Sequence, residues 1–113
     1  MMMCKRGDIY MARLSDGEGS LQQGIRPVLI ISNDKCNEHS PVITIVPFTS
    51  RRKNPLPTHV LIKKCGLTRP SLCLAEQIMS LNKCQLKEKL GSILETEYAE
   101  KVDQAIKIQL SVQ

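Results

Sequence analysis

Gly24-Ile25-Arg26-Pro27-Val28-Leu29-Ile30-Ile31-Ser32-Asn33-Asp34 is the stretch from which the rest of the chain can be read. Residues 28–31 are an unbroken β-branched and leucine run closed by a Ser-Asn-Asp turn signal, the pattern of a strand covered on both faces. Pro27 suits the first position of such a strand, because it has no N–H to lose from the ladder and it pushes the preceding residue into an extended conformation. Arg26 is therefore held stiffly at the strand entrance, with Gly24 before it free to take the dihedral the turn requires. An always-charged guanidinium fixed there, with its planar fork of donors, suits a pair of phosphate or carboxylate oxygens. A structural ion pair with an acid elsewhere fits the same residues, and the local sequence does not choose between the two.

Upstream, Ile9-Tyr10-Met11-Ala12-Arg13-Leu14 reads as a strand with Tyr10, Ala12 and Leu14 on one face. Residues 15–24 form a polar, glycine-bearing loop, either a binding loop or a plain connector. Downstream, residues 33–40 are polar, and residues 42–48 read as a strand that Pro47 sends to an edge or a bulge. Thr49-Ser50-Arg51-Arg52-Lys53 then leaves the sheet with two hydroxyls and three cations. That composition fits phosphate contact as well as an ordinary strand exit.

Residues 58–62 and 72–81 read as further strands. In the second, alternation turns Glu76 and Gln77 to opposite faces, and an exposed Gln77 amide fits either a base edge or solvent. Residues 82–87 read as one helical turn and 88–94 as a last short strand. Thr96 is the expected N-cap of a helix over 97–110 with acids in its first turn. Its apolar stripe is Val102, Ala105, Ile106 and Leu110, and it serves as core cover or as a dimer seam.

A chain of 113 residues implies a single domain spanning 1–113, without repeats, low-complexity tracts or linkers. Charge is distributed unevenly. Residues 1–94 hold 14 basic and 7 acidic side chains, no acid falls between Glu38 and Glu76, and the segment from Glu95 onward is net acidic. A concentrated positive face suits a polyanion and salt-sensitive binding, or serves solubility.

An aromatic content of 3% calls for an aliphatic core and speaks against bases stacking on an aromatic platform. Five cysteines, spaced 32, 29, 8 and 11 residues apart, match neither a disulfide framework nor a zinc motif. No apolar run approaches a membrane span and no signal-peptide pattern is present, so a reduced, cytoplasmic protein is expected. The acids near the basic body, Asp8, Asp34 and Glu76, are scattered singly, which disfavours metal-assisted hydrolysis. His39 and His59 are isolated, and neither a Cys-His nucleophile arrangement nor a phosphate-cradling glycine loop is present.

The chain resembles the MazF/PemK/Kid family of toxin endoribonucleases. The resemblance is carried by Lys5-Arg6-Gly7-Asp8-Ile9-Tyr10, the Gly24 to Asp34 stretch, Phe48-Thr49-Ser50 and Leu56-Pro57-Thr58-His59-Val60. Glu76-Gln77-Ile78, Leu86-Lys87-Glu88-Lys89-Leu90-Gly91 and Lys101-Val102-Asp103-Gln104-Ala105 continue it in order. It implies a small SH3-like β-barrel with a C-terminal helix, forming a homodimer that cleaves single-stranded RNA without metal or cofactor and is restrained by a cognate antitoxin.

Carried onto this sequence, the family's catalytic residues fall on Arg26 and Thr49. RNA contacts fall on Ser20, Ser50, Arg51, Leu56, Ser71 and Gln77. Ser50-Arg51-Arg52-Lys53 is more basic than in many relatives and Ala75 replaces a bulkier apolar residue; both bear on which site is cut. A gyrase-poisoning toxin of the same fold is the alternative, but its C-terminal tryptophan motif is missing. An inactive RNA-binding barrel is the other, and the presence of both Arg26 and Thr49 argues against it.

Overall fold

The structure, a computed structural model, describes residues 3–14, 19, 21–51 and 54–113. Its strands are β1 (Asp8–Leu14), β2 (Gly24–Ile30), β3 (Val42–Thr49), β4 (His59–Ile62), β5 (Ser71–Leu74), β6 (Met79–Asn82) and β7 (Leu86–Ser92). Two helices, α1 (Asp34–His39) and α2 (Glu97–Leu110), and two single 3₁₀ turns complete the described elements. The antiparallel path runs β4-β5-β3-β2-β1-β7, with β6 beside the first half of β3. This is the SH3-like class expected, with its end strands β4 and β7 not hydrogen-bonded to each other.

Alternation along the central strands divides the core in two. Tyr10, Ala12, Leu14, Val28, Ile30, Ile43 and Ile45 pack on one face of the sheet. Ile9, Leu29, Val46 and Phe48 pack on the other, where Tyr98, Val102 and Ala105 of α2 cover them. β2 is thus buried on both sides, as its unbroken apolar run requires. Pro47 falls where one edge of β3 changes partner, from β6 at Val42–Ile45 to β5 at Phe48 and Thr49. A residue with no N–H costs least in that gap.

Four expectations are corrected. β2 begins at Gly24, so Arg26 and Pro27 lie within the strand, opposite Ala12 and Met11 of β1, rather than at its entrance. The polar segment after β2 contains α1, because Asn33 is an N-cap whose side chain accepts the Cys36 N–H at 2.9 Å. Within α1, Asn37 is buried and bonds back to the Ser32 carbonyl, so a polar residue fills a core position. Residues 72–81 are not one strand: a 3₁₀ turn at Ala75–Gln77 separates β5 from β6. Ala75 N–H there bonds to Thr58 O at 3.0 Å rather than continuing a ladder. Leu110 is exposed, not part of the buried stripe. Each step of four residues overshoots a full turn by about 40°, so a 102–106–110 line rotates out of the contact that Tyr98, Val102 and Ala105 make. No described helix is long and apolar enough to cross a membrane.

Candidate functional site

β2 and β3 pair in the register Val28↔Pro47, Leu29↔Val46, Ile30↔Ile45. Carried two residues further, that register sets Arg26 opposite Thr49, and opposite residues of antiparallel neighbours share a face. Arg26 spans the widening gap itself. Its Nε donates to Gln23 O at 2.9 Å and Nη1 makes a long contact to Phe48 O at 3.5 Å, one residue from Thr49. Among the described residues no ion pair includes Arg26. A guanidinium anchored by carbonyls keeps its full charge for an incoming anion.

Thr49 is 3% exposed, and its Oγ1 accepts the Arg51 N–H at 3.2 Å, tightening the turn out of β3. The two residues line adjoining cavities. Arg26 lies in one of about 250 Å³ with Pro27, Ser50, Thr68, Arg69 and Ser71. Thr49 lies in one of about 420 Å³, and Ser50 lines both. Arg26 and Thr49 therefore flank a shared partition rather than a single chamber, and Thr49 is open to a cavity although little of it reaches bulk solvent.

The remaining expected contacts divide. Ser50 and Arg51 are exposed beside the cavities, and Ser71 lines the Arg26 cavity while donating to Arg69 O at 3.0 Å. Leu56 is exposed on the turn before β4. Gln77 is corrected: it is buried, not on an exposed strand face, and its Oε1 accepts the Gln22 N–H at 2.9 Å. It thereby fastens the loop whose next carbonyl, Gln23 O, Arg26 holds. Ser20, with Arg52 and Lys53 of the basic run, lies outside the described residues.

Two features were missed in the sequence. Arg69 and Thr68 face the Arg26 cavity, and the overlooked signal is that Arg69-Pro70 repeats the Arg26-Pro27 pattern, a cation stiffened by the proline after it. The second is a clamp beneath Leu56. His59, whose side chain is 2% exposed, accepts the Leu56 N–H at Nδ1 (3.1 Å). Its ring proton therefore sits at Nε2, 2.8 Å from a Glu76 carboxylate oxygen, while Thr58 Oγ1 donates to the other oxygen at 3.1 Å.

Burial pushes the Glu76 carboxyl upward, but hydrogen bonds from His59, from its own backbone N–H and from Thr58 outweigh it, so its pKa lies below the ordinary glutamate value. A depressed carboxylate pKa adds stability above the unfolded-state value and loses it as pH falls through the folded one. Glu76→Gln is expected to cost about 1–3 kcal/mol at neutral pH. The difference from wild type should shrink as pH falls through the carboxylate range below about 4.3. Urea midpoints at a series of pH values check this, and a pH-independent difference contradicts it.

Among the described residues, no three His, Cys, Asp or Glu side chains are placed to hold a metal ion. Comparison with known proteins matches residues 5–110 to the family described as PemK-like, MazF-like toxin of type II toxin-antitoxin system. Among solved structures, the chain is similar to a mycobacterial endoribonuclease in complex with its cognate antitoxin, at 27% identity, TM-score 0.80 and 97% coverage of both chains. A second mycobacterial endoribonuclease matches at 26% identity and TM-score 0.80 over 99% of this chain and 95% of that one. The fold also matches MazF of Deinococcus radiodurans, at 22% identity and TM-score 0.81 over 99% and 100% of the two chains.

Proposed function

The chain belongs to the PemK-like, MazF-like toxins of type II toxin-antitoxin systems, and from that premise we propose that it is a metal-independent, sequence-specific endoribonuclease acting on single-stranded RNA. The observation that carries this reading is the Arg26 guanidinium, anchored by Gln23 O and reaching Phe48 O beside Thr49, in a cavity that also receives Arg69 and the hydroxyl residues Ser50, Thr68 and Ser71. Similarity to two mycobacterial endoribonucleases supports it.

RNA supplies its own nucleophile. The 2′-oxygen attacks phosphorus as its proton passes to water, the bond to the 5′-oxygen breaks and that oxygen is protonated, and the products are a 2′,3′-cyclic phosphate and a 5′-hydroxyl. The protein's task is to hold the backbone for in-line attack and to stabilise the charge that grows on the non-bridging oxygens. Arg26 does the second through its fork of donors. A guanidinium offers five N–H donors and no acceptor, so Arg26 serves as electrophile and as proton donor toward the leaving oxygen, water restoring the proton it gives. Thr49 orients: its Oγ1 accepts from Arg51 N–H and retains its own proton for the phosphate.

The protein acts as a homodimer in the cytoplasm, where its free cysteines stay reduced. A cognate antitoxin restrains it by laying an acidic, partly disordered segment along the basic face. The deciding experiment incubates purified protein with a long single-stranded RNA in EDTA and maps the new ends. Cuts at a recurring short motif with cyclic phosphate termini are expected; intact RNA with a folded sample overturns the reading.

A further inference from the structure

We propose that the RNA backbone leaves the Arg26 cavity across β2 and β1 and that Arg13 binds a phosphodiester flanking the scissile one. The inference rests on the endoribonuclease reading and adds to it a binding position outside the cavity. Ile9, Leu29 and Val46 stand in one row across β1, β2 and β3, and α2 covers them. Further along the strands, an even number of residues on, the same registers set Arg13 opposite Ile25 and bring Ser50 beside it. This second row lies on the same face as the first. It is beyond the reach of α2, and all three of its residues are exposed.

Ile25, Pro27, Phe48 and Ser50 line the Arg26 cavity, and all four belong to this face by alternation. The cavity therefore opens onto it, and Arg13 stands one strand spacing beyond its wall, about 5 Å across the ladder. A strand of RNA with one phosphate in the cavity carries a further negative charge at every nucleotide it sends out. The row offers that strand a hydroxyl, then the half-exposed aliphatic surface of Ile25 for a ribose to cross, then a guanidinium.

Two further observations fit Arg13 to that task. Its charge is not spent within the protein: among the described residues no ion pair includes it. Its backbone is fixed. Gln85 Nε2 donates to Arg13 O at 2.8 Å while Gln85 Oε1 accepts the Asn82 N–H at 2.9 Å, which ties the end of β1 to the turn before β7. Only the side chain then loses freedom when a phosphate is bound, which keeps the ordering cost low.

The experiment measures binding of a single-stranded oligoribonucleotide, 2′-O-methylated so that it stays uncut, and of a series in which one phosphodiester at a time is an uncharged methylphosphonate. With wild-type protein, one linkage outside the scissile position should weaken binding about tenfold when neutralised, the worth of a charge-assisted hydrogen bond. Arg13→Ala should weaken binding of the fully charged strand by the same factor and become indifferent to that linkage alone. Its slope of log affinity against log salt should be shallower by about 0.7, one phosphate on a single strand. Arg13 is exposed and bonds through its backbone, so the substitution leaves the fold in place. Lys107→Ala removes the same charge from α2 and should keep the wild-type linkage profile. An Arg13→Ala protein that stays sensitive at every linkage overturns the proposal, as does one no weaker than Lys107→Ala, since net charge alone then counts. Unchanged RNA affinity with weaker binding of a polyglutamate peptide assigns Arg13 to an acidic protein partner and overturns it too. Wild-type protein that leaves an unmodified RNA uncut overturns the nuclease reading instead.

Discussion

Arg26→Lys lowers the rate constant for RNA cleavage by about 10²–10³-fold, the loss expected when one preorganised donor is removed from a developing oxyanion. Lysine keeps the charge, so simple phosphate attraction survives. What it loses is the fork. In the native site Nε is committed to Gln23 O and Nη1 to Phe48 O, which fixes the guanidinium plane and aims its remaining donors. An ammonium on a flexible stem cannot satisfy two carbonyls and present a second fixed donor to the phosphate at once. Single-turnover kinetics on a mapped substrate separate this from binding: the effect belongs in the chemical step, with modest change in RNA affinity. Arg69→Ala gives the contrasting pattern, weaker binding and a shallower salt dependence, because Arg69 lines the same cavity without standing opposite Thr49. Turnover of Arg26→Lys close to wild type would remove the electrophile role altogether.

Arg26 was legible in the sequence because its information is local. A proline after it, a glycine before it and a buried strand behind it fix its conformation within a few residues. The central strands were legible for the same reason, since β-branched runs at Val28, Ile30, Ile43 and Ile45 leave few alternatives to a buried sheet. What escaped depends on distant partners. Residues 72–81 alternate like a strand, yet Thr58 O captures the Ala75 N–H and the His59–Thr58 pair captures Glu76, so tertiary contacts bend the chain where propensity would not. Gln77 followed that bend inward. α1 has six residues and no apolar stripe, and only its Asn33 cap marks it. The cavity around Arg26 is assembled from residues 25–27, from Phe48 and Ser50, and from residues 67–69 with Ser71, three segments whose proximity no local pattern encodes.

Gly66→Ala should cost about 3–5 kcal/mol and lower Tm by roughly 12 °C or more, at about 4 °C per kcal/mol for a chain of this size. β4 and β7 end the strand path without pairing, and the structure brings the two ends together through backbone contact between residues 65–66 and 90–91. A Cβ on Gly66 would stand 2.0 Å from Leu90 O, and one on Gly91 would stand 2.1 Å from Cys65 O, so neither partner can yield by rotating a side chain. Gly66 also has φ +94°, a conformation that costs any other residue energy regardless of space. Gly24→Ala isolates that second effect: φ there is +78° but nothing lies within 4 Å of the added carbon, so about 1–2 kcal/mol is expected. Thermal melts of the two variants test the close approach directly, and equal losses would show that strain alone matters. The contact also bears on function. Residues 67–71, which carry Arg69 and Ser71 into the Arg26 cavity, leave the sheet from this turn, so a Gly66→Ala protein still folded at low temperature should cleave RNA more slowly than wild type. Joining the two ends of the strand path and setting the second wall of the Arg26 cavity are then one structural event, performed by a glycine far in sequence from the arginine it serves.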